Sequence, residues 1–139
     1  MKVFVTGGTG LLGRHVITAL VERGDTVVGL ARSDAADAGL RALGAEPLRG
    51  DLRDAGALAR GVERADATVH AAAVVLSRGD WSGFLAVNVT PTIAMARACA
   101  RSKRRLVHIS SVAAYGRATP YDGGAGSVTE TFGLDRPIF

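Results

Sequence analysis

The sequence predicts an α/β fold, a doubly wound parallel sheet with strand order 3-2-1-4-5. Three observations carry this expectation. Short apolar runs alternate with segments whose apolar residues recur at helical spacing, which builds a parallel sheet by right-handed crossovers. The first run ends in a cluster of glycines, Thr6-Gly7-Gly8-Thr9-Gly10-Leu11-Leu12-Gly13, where a strand must give way to a helix. The chain has 139 residues, enough for one sizeable core and too few for a separate second domain.

Taken in order, Lys2-Val3-Phe4-Val5-Thr6 is a short buried strand. Leu11 to Arg23 places Leu12, Val16, Ile17, Leu20 and Val21 on one helical face, and Gly24 closes it. Asp25 to Ala31 is a second strand. Ser33 or Asp34 can cap a short helix running to Leu43, with Gly44 behind it. Glu46 to Arg49 is a third strand, and Asp54 caps a helix to Val62. Ala67 to Val75 is a fourth strand, Asp80 caps a long helix to Ser102, and Leu106 to Ser110 is a fifth strand. From Tyr115 onward Gly, Thr, Pro, Asp and Ser dominate, the composition of a loop.

The glycine cluster has a chemical use. One glycine allows a sharp turn, a second lets the backbone approach a pyrophosphate, and a third lets helix and strand pack closely. Gly7, Gly10 and Gly13 fit this pattern, and so do Gly8, Gly10 and Gly13. Free amides near Gly10, Leu11 and Leu12, with Thr9 in the same loop, would face the anion. The expected fold is therefore of the Rossmann type, with a dinucleotide at the switch point between the first and fourth strands. A phosphate-loop NTPase is excluded because no Gly-Lys-Ser/Thr follows. The end of the second strand reads Ala31-Arg32-Ser33-Asp34. Arg32 offers a fork of donors and Ser33 a hydroxyl to a 2′-phosphate, so NADP is favoured, with NAD possible through Asp34.

Composition narrows the partners. Hydrophobic residues make up 47%, which argues against disorder. No run approaches the roughly 20 apolar residues that span a bilayer, and the start of the chain does not read as a signal segment. The expected location is the cytoplasm, with no membrane partner. Cys99 is the single cysteine and sits in an Ala-rich helical stretch, a small core residue rather than a metal ligand. The net charge is +4, but all except two of the 17 cations are arginine and they are spread out. Their one cluster, Arg101 to Arg105, falls where a helix ends and complements its dipole, so no nucleic-acid partner is expected.

These motifs together resemble the extended short-chain dehydrogenases/reductases, also called the NAD-dependent epimerase/dehydratase family. The glycine loop resembles that family's cofactor loop. Gly50-Asp51-Leu52-Arg53-Asp54 resembles the segment after its third strand, and the resemblance implies that Asp51 and Leu52 contact the adenine. His70-Ala71-Ala72-Ala73 resembles the small-residue strand end that lies against the cofactor, which implies a binding role for Ala71, Ala72 and Ala73. Phe84 and Asn88-Val89-Thr90 resemble its long-helix motif. His108 to Gly116 resembles the fifth strand and catalytic serine, which would be Ser111. His70 and His108, together with Trp81 and Phe84, read as core residues, and Asn88 as an internal strut.

Two departures matter. Pro91 stands where the family has Gly, and a proline inside a helix costs roughly 3 kcal/mol. A kink is expected there, with Asn88 or Thr90 satisfying freed backbone groups. The family also uses a tyrosine to move a proton and a lysine four residues later to lower its pKa. Tyr115 and Tyr121 are followed at that spacing by Thr119 and Ala125, so the pair does not occur. The expectation is an incomplete Rossmann domain over residues 1–139, in which 116–139 is a loop leading to a missing catalytic helix. The fifth strand would then be an open edge prone to self-association. The functional expectation is an NAD(P)-dependent oxidoreductase, epimerase or dehydratase. It would act on a small-molecule carbinol, ketone or sugar nucleotide in a full-length form. The alternative is a non-catalytic NAD(P)-binding sensor or scaffold.

Overall fold

The computed structural model describes residues 1–74 and 81–111. The chain divides into two compact units, Met1–His108 and Ile109–Phe139. Of the second unit only residues 109–111 are described. They are exposed and form no regular element. Arg78, Asp80, Tyr115 and the loop expected over 116–139 lie outside the described residues.

The first unit is a five-stranded parallel sheet in the order β3-β2-β1-β4-β5. Its strands are β1 (Lys2–Thr6), β2 (Thr26–Ala31), β3 (Glu46–Arg49), β4 (Ala67–His70) and β5 (Arg105–His108). The helices are α1 (Leu11–Glu22), α2 (Asp34–Ala42), α3 (Ala55–Glu63), α4 (Trp81–Phe84) and α5 (Thr90–Arg101). A π-helical segment, Leu85–Val89, joins the last two. The expected alternation and strand order are therefore present.

The sheet's pleat divides the core into two layers. Phe4 and Val28 point to one side and pack with Leu58, Val62, Met95, Ala98 and Cys99 of α3 and α5. Val3, Val5 and Val27 point to the other and pack with Ile17 of α1 and Leu40 of α2. Local chemistry sets the helix starts. Ser33 accepts a bond from the Ala36 amide, and Asp54 accepts from the Gly56 and Ala57 amides at 2.9 and 3.1 Å. Gly24 and Gly44 follow the C-caps of α1 and α2 with φ of +86° and +79°.

Several expectations need correction. β4 ends at His70, not Val75, because its partners stop there: Thr6 and His108 are the last residues paired with it. β5 spans Arg105–His108 rather than Leu106 to Ser110. The long helix is interrupted by the π segment, and Pro91 falls in the first turn of α5, where a missing N–H costs least. Thr92 donates its hydroxyl to Asn88 O, four residues back, at 2.6 Å. The Asn88 side chain reaches back to the Val74 backbone. Trp81 is 58% exposed and His108 is exposed, so neither is a core residue; Phe84 is half-buried.

Candidate functional site

The C-terminal ends of β1 to β4 converge on a cleft of about 460 Å³. Its floor is the loop after β1. Gly7 has φ of +74°, and a Cβ there would come within 2.8 Å of the Ala71–Ala72 backbone. The loop thus lies directly on the chain leaving β4. Gly10 donates its amide to Gly7 O at 3.0 Å and closes the turn. Gly13 does not reach the cleft. It is buried beneath the loop, where a Cβ would stand 2.0 Å from Gly7 O.

The cleft collects most of the residues singled out from the sequence: Gly7, Thr9, Gly10, Arg32, Asp51, Leu52, Ala71, Ala72 and Ala73 all line it. Leu11 and Leu12 do not. They open α1 as residues 75% and 47% exposed. Ser33 also lies outside it, spending its hydroxyl oxygen as the N-cap of α2. Ser111 belongs to the second unit, three residues beyond β5. Sequence reasoning missed Leu30, Ala36, Gly50, Arg53, Val74 and Val87 as lining residues. Val74 had a signal available in Asn88. That side chain accepts from the Val74 amide at 2.8 Å and donates to its carbonyl at 3.0 Å, pinning the wall beside the alanines.

The site's polar groups are arranged by charge. Asp51 accepts from the Arg53 amide and Nε, both at 2.9 Å. Those bonds, with Arg32 nearby, hold its carboxyl below the usual range. Asp34 and Asp37, which open α2, are both taken by Arg49 of β3. Asp34 therefore serves an ion pair, where the sequence left it as a possible ribose ligand.

Behind the loop, buried Thr6 and His70 form a chain with half-buried Thr92. Thr6 Oγ1 lies 2.6 Å from His70 Nδ1, and His70 Nε2 lies 2.9 Å from Thr92 Oγ1. Thr92 donates its one hydroxyl proton to Asn88 O, so it must accept from His70 Nε2–H, and Nδ1 accepts from Thr6. Burial first, then the nearby His108, pushes the His70 pKa down to about 4. The neutral ring is thus a strut between β1, β4 and α5. Among the described residues no group of His, Cys, Asp and Glu could hold a metal ion, and no helix is long and apolar enough to cross a membrane.

Comparison with known proteins gives the same architecture. The family model of the NAD dependent epimerase/dehydratase family matches residues 3–136. The chain is 40% identical, over 86% of its length, to a 4-hydroxy-2-methyl-3-oxo-4-farnesyl-3,4-dihydroquinoline-1-oxide ketoreductase of Stigmatella aurantiaca, covering 36% of that protein. It is 35% identical, over 97% of its length, to a 2-alkyl-3-oxoalkanoate reductase of Stenotrophomonas maltophilia, covering 41% of it. A solved short-chain dehydrogenase/reductase superfamily protein of Agrobacterium tumefaciens, with bound NAD, superposes with a TM-score of 0.76 at 30% identity. That match covers 96% of this chain and 39% of the other. The chain thus spans well under half the length of these relatives. With the sheet order, the glycine loop and the match over nearly all its residues, the chain belongs to the NAD dependent epimerase/dehydratase family of extended short-chain dehydrogenases/reductases.

Proposed function

We propose that the cleft between the glycine loop and the ends of β2, β3 and β4 binds a nicotinamide dinucleotide, with NADP preferred over NAD. The observation that carries this reading is the cleft itself. Its floor is backbone from which side chains have been removed, and Arg32 stands at its β2 end. Gly7 and Gly10 would admit the pyrophosphate, with the first amides of α1 facing it. Leu52, Leu30 and Gly50 would bound the adenine, and Asp51 would face the adenosine. Ala71, Ala72 and Ala73 would leave room for the chain of the cofactor toward its nicotinamide. The preference for NADP follows from Arg32, a donor fork suited to a 2′-phosphate, and from the commitment of Asp34 to Arg49.

For a protein carrying this chain, the proposed activity is hydride transfer to or from a carbinol, ketone or sugar-nucleotide carbon. The dinucleotide would supply or accept the hydride. By resemblance, Ser111 would hold the substrate oxygen by a hydrogen bond. The chain has no Tyr-x-x-x-Lys, so these 139 residues would bind cofactor without turning substrate over. Cys99, buried and free, suits the reducing cytoplasm proposed as its location. We also propose self-association through β5, which pairs only with β4 among the described residues and carries Val107 at 45% exposure.

Titration of the chain with NADPH and NADH tests the central claim. Saturable binding of both is expected, with NADPH tighter by about tenfold, the worth of a charge-assisted contact. No binding of either would overturn the reading. Binding that favours NADH would overturn the NADP preference alone.

A further inference from the structure

We propose that Thr92 of α5 is a positioning residue for the cleft. It joins the glycine loop, the chain leaving β4 and the π segment so that they hold one geometry. The inference rests on the dinucleotide reading above and deepens it, by naming what sets the spacing a dinucleotide must fit. A series of side-chain hydrogen bonds runs behind the lining. Thr6 Oγ1 donates to His70 Nδ1 at 2.6 Å, His70 Nε2 donates to Thr92 Oγ1 at 2.9 Å, and Thr92 Oγ1 donates to Asn88 O at 2.6 Å. The Asn88 side chain then takes the Val74 amide at 2.8 Å and the Val74 carbonyl at 3.0 Å. Each member stands next to the lining or within it. Thr6 precedes Gly7, His70 precedes Ala71, Asn88 follows Val87, and Val74 lines the cleft itself.

The backbone does not carry this spacing far. The register between β1 and β4 ends at Thr6 and His70, and one further bond follows it, from the Ala71 amide to Thr6 O at 3.2 Å. Beyond that row, side chains hold the segments together. A threonine hydroxyl bonded to the carbonyl four residues back is common in helices. This one also accepts from a ring on the sheet, so a single oxygen carries both the tie to β4 and the tie to the π segment. The choice of residues supports the reading. Thr6 and His70 are 0% and 1% exposed, and Thr6 shares a strand face with Phe4, which packs against Leu58, Val62 and Met95. Apolar residues would fill that space without desolvating polar groups. A fully satisfied polar chain fixes one arrangement instead, because a shift of any member disturbs several bonds together.

The test combines amide hydrogen exchange of the free chain with calorimetric titration by NADP⁺ and NAD⁺, in the parent, Thr92→Val and Thr92→Ser. Valine keeps the shape and removes both bonds, whereas serine keeps the hydroxyl. In Thr92→Val the Ala71 and Val74 amides, bonded to Thr6 O and Asn88 Oδ1, are expected to exchange about tenfold faster. The Gly50 amide, bonded to Ala31 O at the β2 end of the cleft, should stay within about twofold of the parent. Both cofactors should bind about tenfold more weakly to Thr92→Val and within about twofold of the parent to Thr92→Ser. Equal acceleration of the Ala71, Val74 and Gly50 amides would mean that Thr92 serves general stability, and the inference falls. Unchanged Ala71 and Val74 amides, unchanged affinity in Thr92→Val, or a serine variant as weak as the valine one would each overturn it while the dinucleotide reading stands. A parent chain that binds neither cofactor would overturn the dinucleotide reading and this inference together.

Discussion

Replacing Gly13 by alanine should damage the site from beneath, without touching the cleft. A Cβ there would stand 2.0 Å from Gly7 O, 2.7 Å from Gly7 C and 2.8 Å from Gly8 Cα. Carbon–oxygen contacts lie at about 3.3 Å or beyond, so α1 and the loop must part by roughly 1.3 Å. The loop cannot yield freely, because Gly7 is itself pressed against the Ala71–Ala72 backbone. Overpacking against backbone belongs at the upper end of the usual cost, about 3 kcal/mol. For a domain of this size each kcal/mol lowers Tm by roughly 4 °C, so a fall of about 12 °C is expected. Gly7 and Gly10 line the cleft, so NADP⁺ affinity should fall by at least about tenfold. Circular dichroism melts and NADP⁺ titration measure the two effects. Gly39→Ala is the matched control: its Cβ would meet only Thr9 Cγ2 at 3.8 Å. Exchanging a helical glycine for alanine there should stabilise by about 0.5–1 kcal/mol. If Gly13→Ala melts within about 2 °C of the parent and binds NADP⁺ equally well, the helix–loop contact does not build this site.

His70 should make stability depend on pH. Its folded pKa, about 4, lies below the ordinary value, so the unfolded chain takes up the proton first as pH falls. The contribution is complete above about pH 6.5 and is lost on acidification toward about pH 4, by up to roughly 2–3 kcal/mol. Urea midpoints of His70→Asn should lack that part of the slope; identical slopes in variant and parent would refute it. Asn88→Asp keeps the acceptor for the Val74 amide but sets a carboxylate against the Val74 carbonyl, and should cost about 1–3 kcal/mol by urea unfolding. Val107→Lys should shift the chain toward monomer in sedimentation velocity, and an unchanged distribution would remove β5 as the contact.

The legible parts of the fold were those set by neighbouring residues. β1 and β3 have the expected bounds, and Ser33 and Asp54 cap the helices they were expected to cap. Each of these is decided within a few residues by hydrogen bonding or apolar spacing. The misreadings depended on distant partners. Ala71 to Val74 looks like strand, but after Ala71 donates to Thr6 O at 3.2 Å β1 turns away at Gly7, and the ladder between them stops. The π segment could not be placed from Pro91 alone, because the break coincides with Asn88 reaching back to Val74. Trp81 and His108 were expected in the core, yet they occupy faces that the described residues leave uncovered. In the site, the glycine loop, Arg32 and Asp51 carried chemistry that a local motif reveals. Arg53 and Val87 entered the cleft through loop and helix packing, which no spacing encodes.

Every described residue that lines the cleft belongs to the first unit, between Gly7 and Val87. The loops after β1, β2, β3 and β4 supply them, and the His70 chain ties β1, β4 and α5 together behind them. Ser111, by contrast, lies in the second unit. The determinants proposed for holding a dinucleotide are therefore separate in sequence from the proposed substrate contact. That division has a thermodynamic consequence. A dinucleotide that binds only the folded first unit adds RT ln(1 + [L]/Kd) to its stability, about 2.7 kcal/mol at a hundredfold excess over Kd. The gain should be the same in Ser111→Ala as in the parent, and at the same cofactor concentration it should fall to about 1.4 kcal/mol or less in Gly13→Ala. A loss of cofactor stabilisation in Ser111→Ala would show that the two units hold the dinucleotide jointly.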